Sequence, residues 1–233
     1  MNSKLYNKII KINSHFYNSI ASDFSCSRNF PWKGWNVALS KINLTKVKNL
    51  NVLDLGCGNA RFLAFLYKNI HSHTFEYLGI DNCAYLLKIA ISKNQNLNPK
   101  FIKADIFNIG NLPKNKFNLV VAFGVTHHIP ELEHRKKWFR ALATLVEKGG
   151  YLIVSFWSPN SAKLIKPNIA GLGAGDYLMG WGKTEYLRFV HVFIDKELSS
   201  IVKIFKNADF KLVAKFKSDI KKNSYNTYLV LKR

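Results

Sequence analysis

Three carboxylates and a glycine turn carry the first chemical signal in this chain. Asp54 precedes Gly56 and Gly58 and lies in the short apolar run Val52–Leu55. Such a run has the composition of a buried parallel strand, and Phe62, Leu63, Phe65, Leu66 and Ile70 then recur as one helix face. A strand, a glycine turn and a helix bring backbone N–H groups and a positive dipole end close to a ligand. A dinucleotide site would need a third glycine where Arg61 stands. Asp54 would also repel a pyrophosphate, so a ligand with positive charge suits this turn better. Asp81 and Asp105 each end a further apolar run, Phe75–Ile80 and Lys100–Ala104, and Gly124 follows the run Phe117–Phe123. In an open parallel sheet these strand ends collect on one side, where ligands bind. The bland alternative for each aspartate is a cap on the next helix.

The elements that must position these residues follow from periodicity. Helices are expected over residues 9–20, Val37–Val47, Ala84–Lys93 and Glu131–Glu147, the last stopped by Gly149 and Gly150 before a fifth strand, Tyr151–Phe156. Residues 22–32 read as irregular. Five strands alternating with helices imply an α/β, doubly wound, mostly parallel sheet with right-handed crossovers. Ser158–Lys183 reads as an irregular insertion, in which Gly171, Gly173 and Gly175 imitate a phosphate loop without a preceding strand. Leu198, Ile201, Val202 and Phe205 mark a closing helix, and Phe210–Lys217 with Tyr225–Lys232 a terminal antiparallel strand pair. The chain therefore reads as one domain, 1–233. Its parts are an N-terminal segment (1–48), a ligand-binding core (49–157), an insertion (158–193) and a closing unit (194–233).

With 233 residues and 48% hydrophobic content, the chain can bury a sizeable core. No apolar run reaches membrane-spanning length and the Lys-rich N-terminus lacks a secretory apolar region, so a cytoplasmic protein is expected. Cys26, Cys57 and Cys83 are odd in number and lack C-x-x-C spacing, which argues against a disulfide framework or a zinc site. Lys and Arg outnumber Asp and Glu by 35 to 14, for a formal charge of +21. Such a field favours a polyanion, most obviously nucleic acid. Only six of the 35 are Arg, which fits AT-rich codon usage, but codon usage does not explain why acids are so few.

The pattern Asp54-x-Gly56-x-Gly58 resembles motif I of the class I S-adenosylmethionine-dependent methyltransferases, and the resemblance extends over residues 50–156. It implies a Rossmann-like sheet and S-adenosylmethionine as cofactor, a ligand with a sulfonium and an ammonium but no phosphate. Asp54, Gly56, Cys57, Gly58 and Asn59 would then face its methionine half. Asp81, beside Asn82, would accept both ribose hydroxyls. Asp105 would accept from the adenine amino group, with Ile106 against the ring, and Phe123 and Gly124 would complete the site.

The flanks narrow the resemblance. Residues 15–28 with Pro31 and Trp32, then 124–129, 175–181 and 188–193, are similar to the tRNA methyltransferase 9 family, which esterifies 5-carboxymethyluridine at the wobble position of tRNA. Ala60 and Gly180 depart from that family's usual glycine and proline. The resemblance implies the tRNA anticodon region as partner and, as in eukaryotic members, a small zinc-binding activator. An ionised carboxylate has no proton to lose, so such a reaction needs alignment rather than a strong base. Arg28 is the candidate for gripping the carboxylate, because its planar fork matches that geometry. Trp32 could stack on a base. His127 should border the methyl-transfer site, with His128, Arg188 and His191 on the substrate side. Each has a plainer reading: Arg28 as a bridge between helices, Trp32 as core, His191 as a satisfied buried histidine. Zinc on His127, His128 and His191 is disfavoured, since adjacent histidines seldom share an ion and this reaction gives a metal nothing to do. Two rival functions stay open, a methyltransferase of a quinone precursor or small acid, and an RNA-binding module without turnover.

Overall fold

A computed structural model describes residues 3–28, 30–45, 47–70, 74–221 and 224–233. Its main sheet has seven strands in the order β3-β2-β1-β4-β5-β9-β8, with a separate pair β6-β7. These are β1 Asn49–Leu55, β2 Thr74–Asp81, β3 Lys100–Lys103, β4 Phe117–Ala122, β5 Val146–Ser158, β6 Asp176–Gly180, β7 Leu187–His191, β8 Lys211–Lys221 and β9 Ser224–Lys232. The first five strands of the main sheet run parallel, and β9 and β8 close it antiparallel. The helices are α1 Ser3–Cys26, α2 Lys33–Leu39, α3 Arg61–Asn69, α4 Ala84–Lys93, α5 Leu132–Leu145 and α6 Asp195–Lys206. Strand order reverses between β1 and β4, which makes the crevice above their carboxyl ends the natural ligand site. Among the described residues no helix is long and apolar enough to cross a membrane.

Both faces of the sheet are covered, as a parallel sheet requires. Along β1 the side chains alternate: Leu53 and Leu55 enter the core built with α5 and α6, while Leu50 and Val52 enter the core built with α2 and α3. Asp54 has the parity of Val52, and that parity decides where its carboxylate goes. In α1, Leu5, Ile9, Phe16 and Ile20 bury one stripe at helical spacing. That stripe lays the helix against β7 and α4. Asn13 Oδ1 accepts from the Phe189 backbone N–H at 2.7 Å, and Cys83 Sγ donates to Asn18 Oδ1 at 3.5 Å.

Four expectations about elements change. The helix α1 continues to Cys26, so residues 22–26 are not irregular. The helix expected over Val37–Val47 lies earlier, at Lys33–Leu39, where Trp35 and Ala38 pack beneath the sheet. Gly149 and Gly150 do not stop α5, which ends at Leu145; they form an irregularity inside β5, where the register with β4 shifts. A side chain at Gly150 would meet the Asn118 carbonyl at 2.9 Å. The insertion is not wholly irregular, because Asp176–Gly180 pairs antiparallel with β7. Gly171–Gly175 is not a phosphate loop. Asp176 Oδ2 accepts from Gly173 N–H, and the Lys166 ammonium donates to the carbonyls of Gly173, Ala174 and Asp176.

Candidate active site

A cavity of about 710 Å³ opens above the carboxyl ends of β1, β2 and β4 and is roofed by α1. Its floor is the glycine turn. Gly56 has φ +75°, and a β-carbon there would come within 2.0 Å of Val125 Cγ1, so only glycine fits. Asp81, ending β2, accepts from Gly58 N–H through Oδ2 and from Cys83 N–H through Oδ1, both at 2.8 Å. Each oxygen keeps a lone pair for a further donor. Asp105 accepts from Phe107 N–H at 3.0 Å and from the Tyr6 hydroxyl of α1 at 2.7 Å. Asn59 lines the cavity as well, and its Nδ2 donates to Ser25 Oγ at 2.9 Å and so ties α1 to the turn. Cys57, Asn82, Ile106, Phe123 and Gly124 line the cavity. Burial pushes the Cys57 thiol up, well away from a reactive thiolate.

Arg28, Trp32, His127, His128, Trp157 and Arg188 also line the cavity. The His128 Nδ1 sits 2.7 Å from the Phe189 carbonyl, which can only accept, so that nitrogen carries the proton. His128 Nε2 must then accept from the Tyr17 hydroxyl, at 2.7 Å. Burial, with the Arg188 charge second, lowers the His128 pKa to about 3. Burial also holds His127 well below its ordinary value, aided by His128 and Arg188. Both rings are neutral across the physiological range. Arg28 and Arg188 form no ion pair among the described residues, and the Nε of each is buried without a partner.

A family model described as a methyltransferase domain matches residues 34–215. The chain belongs to that methyltransferase family. Among curated relatives, the tRNA (carboxymethyluridine(34)-5-O)-methyltransferase of Arabidopsis thaliana is 28% identical over 144 residues, 61% of this chain and 31% of the relative. The chain thus spans about a third of that protein's length. Among solved structures, an S-adenosylmethionine-dependent methyltransferase from Clostridium acetobutylicum superposes with a TM-score of 0.64 at 17% identity, covering 98% of both chains. Magnesium protoporphyrin IX methyltransferase from Synechocystis, with S-adenosylmethionine bound, superposes at 0.62 and 16% identity, covering 94% of both chains. The α/β fold and the cofactor, S-adenosylmethionine, agree with the expectation from the sequence. When bound, the cofactor supplies a methyl group activated by a sulfonium.

The methyltransferase brings most of the expected residues to one cavity, with two exceptions. Asp54 is 3% exposed and lies under the turn, where its Oδ2 accepts from the Tyr77 hydroxyl at 2.5 Å. Strand alternation puts it there, on the side of Tyr77, which stands opposite Val52. Burial pushes its pKa up to about 7, against the Tyr77 hydrogen bond, with Asp81 raising it further. It is therefore not the constant negative neighbour that the turn motif suggests. A cation above the turn would favour its ionised form, so binding S-adenosylmethionine should release a proton. The expected result is an affinity that falls as pH drops from 8 to 6, steepest near 7. Calorimetry in buffers of different ionisation enthalpy checks it, and a flat profile would remove Asp54 from cofactor binding.

His191 is the second exception. Its Nδ1 lies 2.6 Å from Asp176 Oδ1 and its Nε2 3.0 Å from Glu197 Oε1, with Arg135 at 3.8 and 3.6 Å from the same two carboxylates. This buried cluster joins the β6–β7 pair to α5 and α6 and does not line the cavity. His191→Ala would take a hydrogen bond from each of two carboxylates and leave Arg135 to hold both, for a loss of about 3 kcal/mol of stability. Urea unfolding should show that loss while cofactor affinity stays unchanged.

Some residues at the cavity escaped the sequence reading. Tyr17 and Phe24 line it from α1, and Tyr6 and Ser25 of the same helix hold Asp105 and Asn59; only the docking of that helix brings them to the strand ends. Trp157 and Asn226 come from β5 and β9. A strand-end position was the available signal for Trp157, which follows the expected fifth strand directly.

Proposed function

We propose that this methyltransferase esterifies a carboxylate carried on RNA, with the carboxymethylated wobble uridine of tRNA as its best-fitting substrate. The observation behind this reading is the pair of guanidinium groups, Arg28 and Arg188, in the cavity lining without acidic partners. A buried cation without a counter-charge is costly and calls for an anionic ligand. The reaction asks little else of the protein. The new O–CH3 bond forms as the S–CH3 bond breaks, the electron pair stays on sulfur, and no proton moves. The neutral His127 and His128 suit such chemistry, since neither is an imidazolium that would protonate the acceptor carboxylate. The name of the Arabidopsis relative supports the RNA part of the reading, as do the charge of +21 and the lysines Lys163 and Lys221 at the cavity. The activator implied by the family resemblance would find apolar ground at the sheet edge, where Tyr85, Ile91 and Ile102 are exposed.

A small acid as acceptor is the second reading. It is favoured by Lys166, whose ammonium is used up on backbone carbonyls within the insertion and is not offered to RNA. Incubation with labelled cofactor and tRNA, with and without the 5-carboxymethyl group, separates the two. Label should enter only the carboxymethylated tRNA and leave it on mild alkali, as an ester does. Labelling of small acids alone would support the second reading, and labelling of unmodified uridine would exclude a carboxylate acceptor. Binding to tRNA should also weaken by about tenfold or more between 50 and 200 mM salt, because several phosphates are neutralised. An affinity independent of salt would count against RNA.

A further inference from the structure

Two guanidinium groups line the cavity, although a single acceptor carboxylate needs only one of them. We propose that they are divided between two anions: Arg188 anchors the acceptor carboxylate, and Arg28 receives the carboxylate of the cofactor's methionine moiety. The Arg188 half rests on the ester reading above, whereas the Arg28 half rests only on S-adenosylmethionine being the cofactor.

Arg188 is the more firmly placed. It belongs to the strand β7 and is 4% exposed. Its guanidinium carbon lies 4.8 Å from the Phe16 ring centre and 5.1 Å from that of Trp157. Two aromatic faces fix such a planar cation without neutralising it. The Tyr17 hydroxyl, whose proton is committed to His128, feels the Arg188 charge. Phe16 and Trp157 thus position Arg188 beside His127, whose ring centre lies 5.1 Å from that of Trp157, at the end of β4.

Arg28, just after α1, is tethered towards the glycine turn. Its backbone N–H donates to the Ser25 carbonyl at 3.0 Å, and Ser25 Oγ accepts from Asn59, the residue after Gly58. Its guanidinium carbon rests 4.9 Å from the Phe24 ring centre. Arg188, by contrast, shares the Trp157 ring with His127. Arg28 is thus tethered towards the glycine turn and Arg188 towards His127. The methionine half of a cofactor seated on the glycine turn meets Arg28 first, and an acceptor near His127 meets Arg188. Two carboxylates, one from each ligand, would neutralise both cations.

The test compares S-adenosylmethionine with decarboxylated S-adenosylmethionine, which differs only in lacking that carboxylate, by calorimetry on the full chain. The wild type should bind the carboxylated form about tenfold or more tightly. Arg28→Gln should close that gap by weakening only the carboxylated form, and Arg28→Lys should close it in part. Arg188→Gln should leave both affinities within about twofold and lower kcat/KM on carboxymethylated tRNA by about thirtyfold or more. Each Gln variant loses an uncompensated buried cation, so its melting temperature should hold or rise, which verifies folding. The division is overturned if Arg188→Gln closes the calorimetric gap or if Arg28→Gln leaves it intact. If no carboxylate acceptor is methylated by the wild type, the ester reading and the Arg188 half fall together. The calorimetric result then still decides the Arg28 half.

Discussion

Asp81→Ala should lower the affinity for S-adenosylmethionine by one to two orders of magnitude. The carboxylate ends β2 at the edge of the cavity, where two backbone N–H groups hold it in place and leave lone pairs for ligand hydroxyls. Hydrogen bonds to a charged acceptor are worth about 1.5–3 kcal/mol, and each 1.4 kcal/mol is about tenfold in affinity. The substitution also frees the Gly58 N–H, which loosens the turn under the ligand. Asp81→Asn keeps an acceptor oxygen without the charge and should fall between alanine and wild type. Burial raises the Asp81 pKa, against the N–H groups of Cys83 and Gly58 that favour the charged form. Removing an acid held under such strain should cost little global stability. Calorimetric titration, with a melting curve on the same sample, reads both quantities. Unchanged affinity in a folded Asp81→Ala protein would move the ribose subsite away from β2.

Gly56→Ala should abolish measurable cofactor binding and destabilise the fold by several kcal/mol. The backbone at Gly56 lies in the left-handed region, at φ +75°, and the added carbon would fall 2.0 Å from Val125 Cγ1. Strain in φ alone costs about 1–2 kcal/mol, and the overlap forces either the turn or the segment after β4 to move. Both carry the floor of the cavity. Val125→Ala in the same chain removes the group that is struck, and should recover part of the stability while the φ strain persists. Chemical denaturation of the single and double variants measures this coupling. A Gly56→Ala protein as stable as wild type, with full cofactor affinity, would show that the turn tolerates a side chain.

The order of elements in the cofactor half was legible in the sequence because each signal there is local. A parallel strand buried on both faces reads as an apolar run, its end is marked by an aspartate or glycine, and the next helix declares itself by period. Those signals place Gly56, Gly58, Asp81, Asp105 and Gly124 at one edge of a sheet without knowledge of any contact. What they cannot supply is which way a side chain points once two faces are both buried. Asp54 shows this. Its position before the turn suggests a ligand contact, yet β1 alternation sends it beneath the sheet to Tyr77.

The acceptor end depended on tertiary structure. Tyr17, Arg28, His128, Trp157 and Arg188 come from four separate stretches, and only the docking of α1 across the strand ends brings them together. Sequence spacing carries no information about that docking, because the apolar stripe of α1 says that it packs but not against what. The same reason separates Arg188 from His191. The two lie on one strand, three residues apart and so on opposite faces, and one meets the cavity while the other is consumed by Asp176 and Glu197.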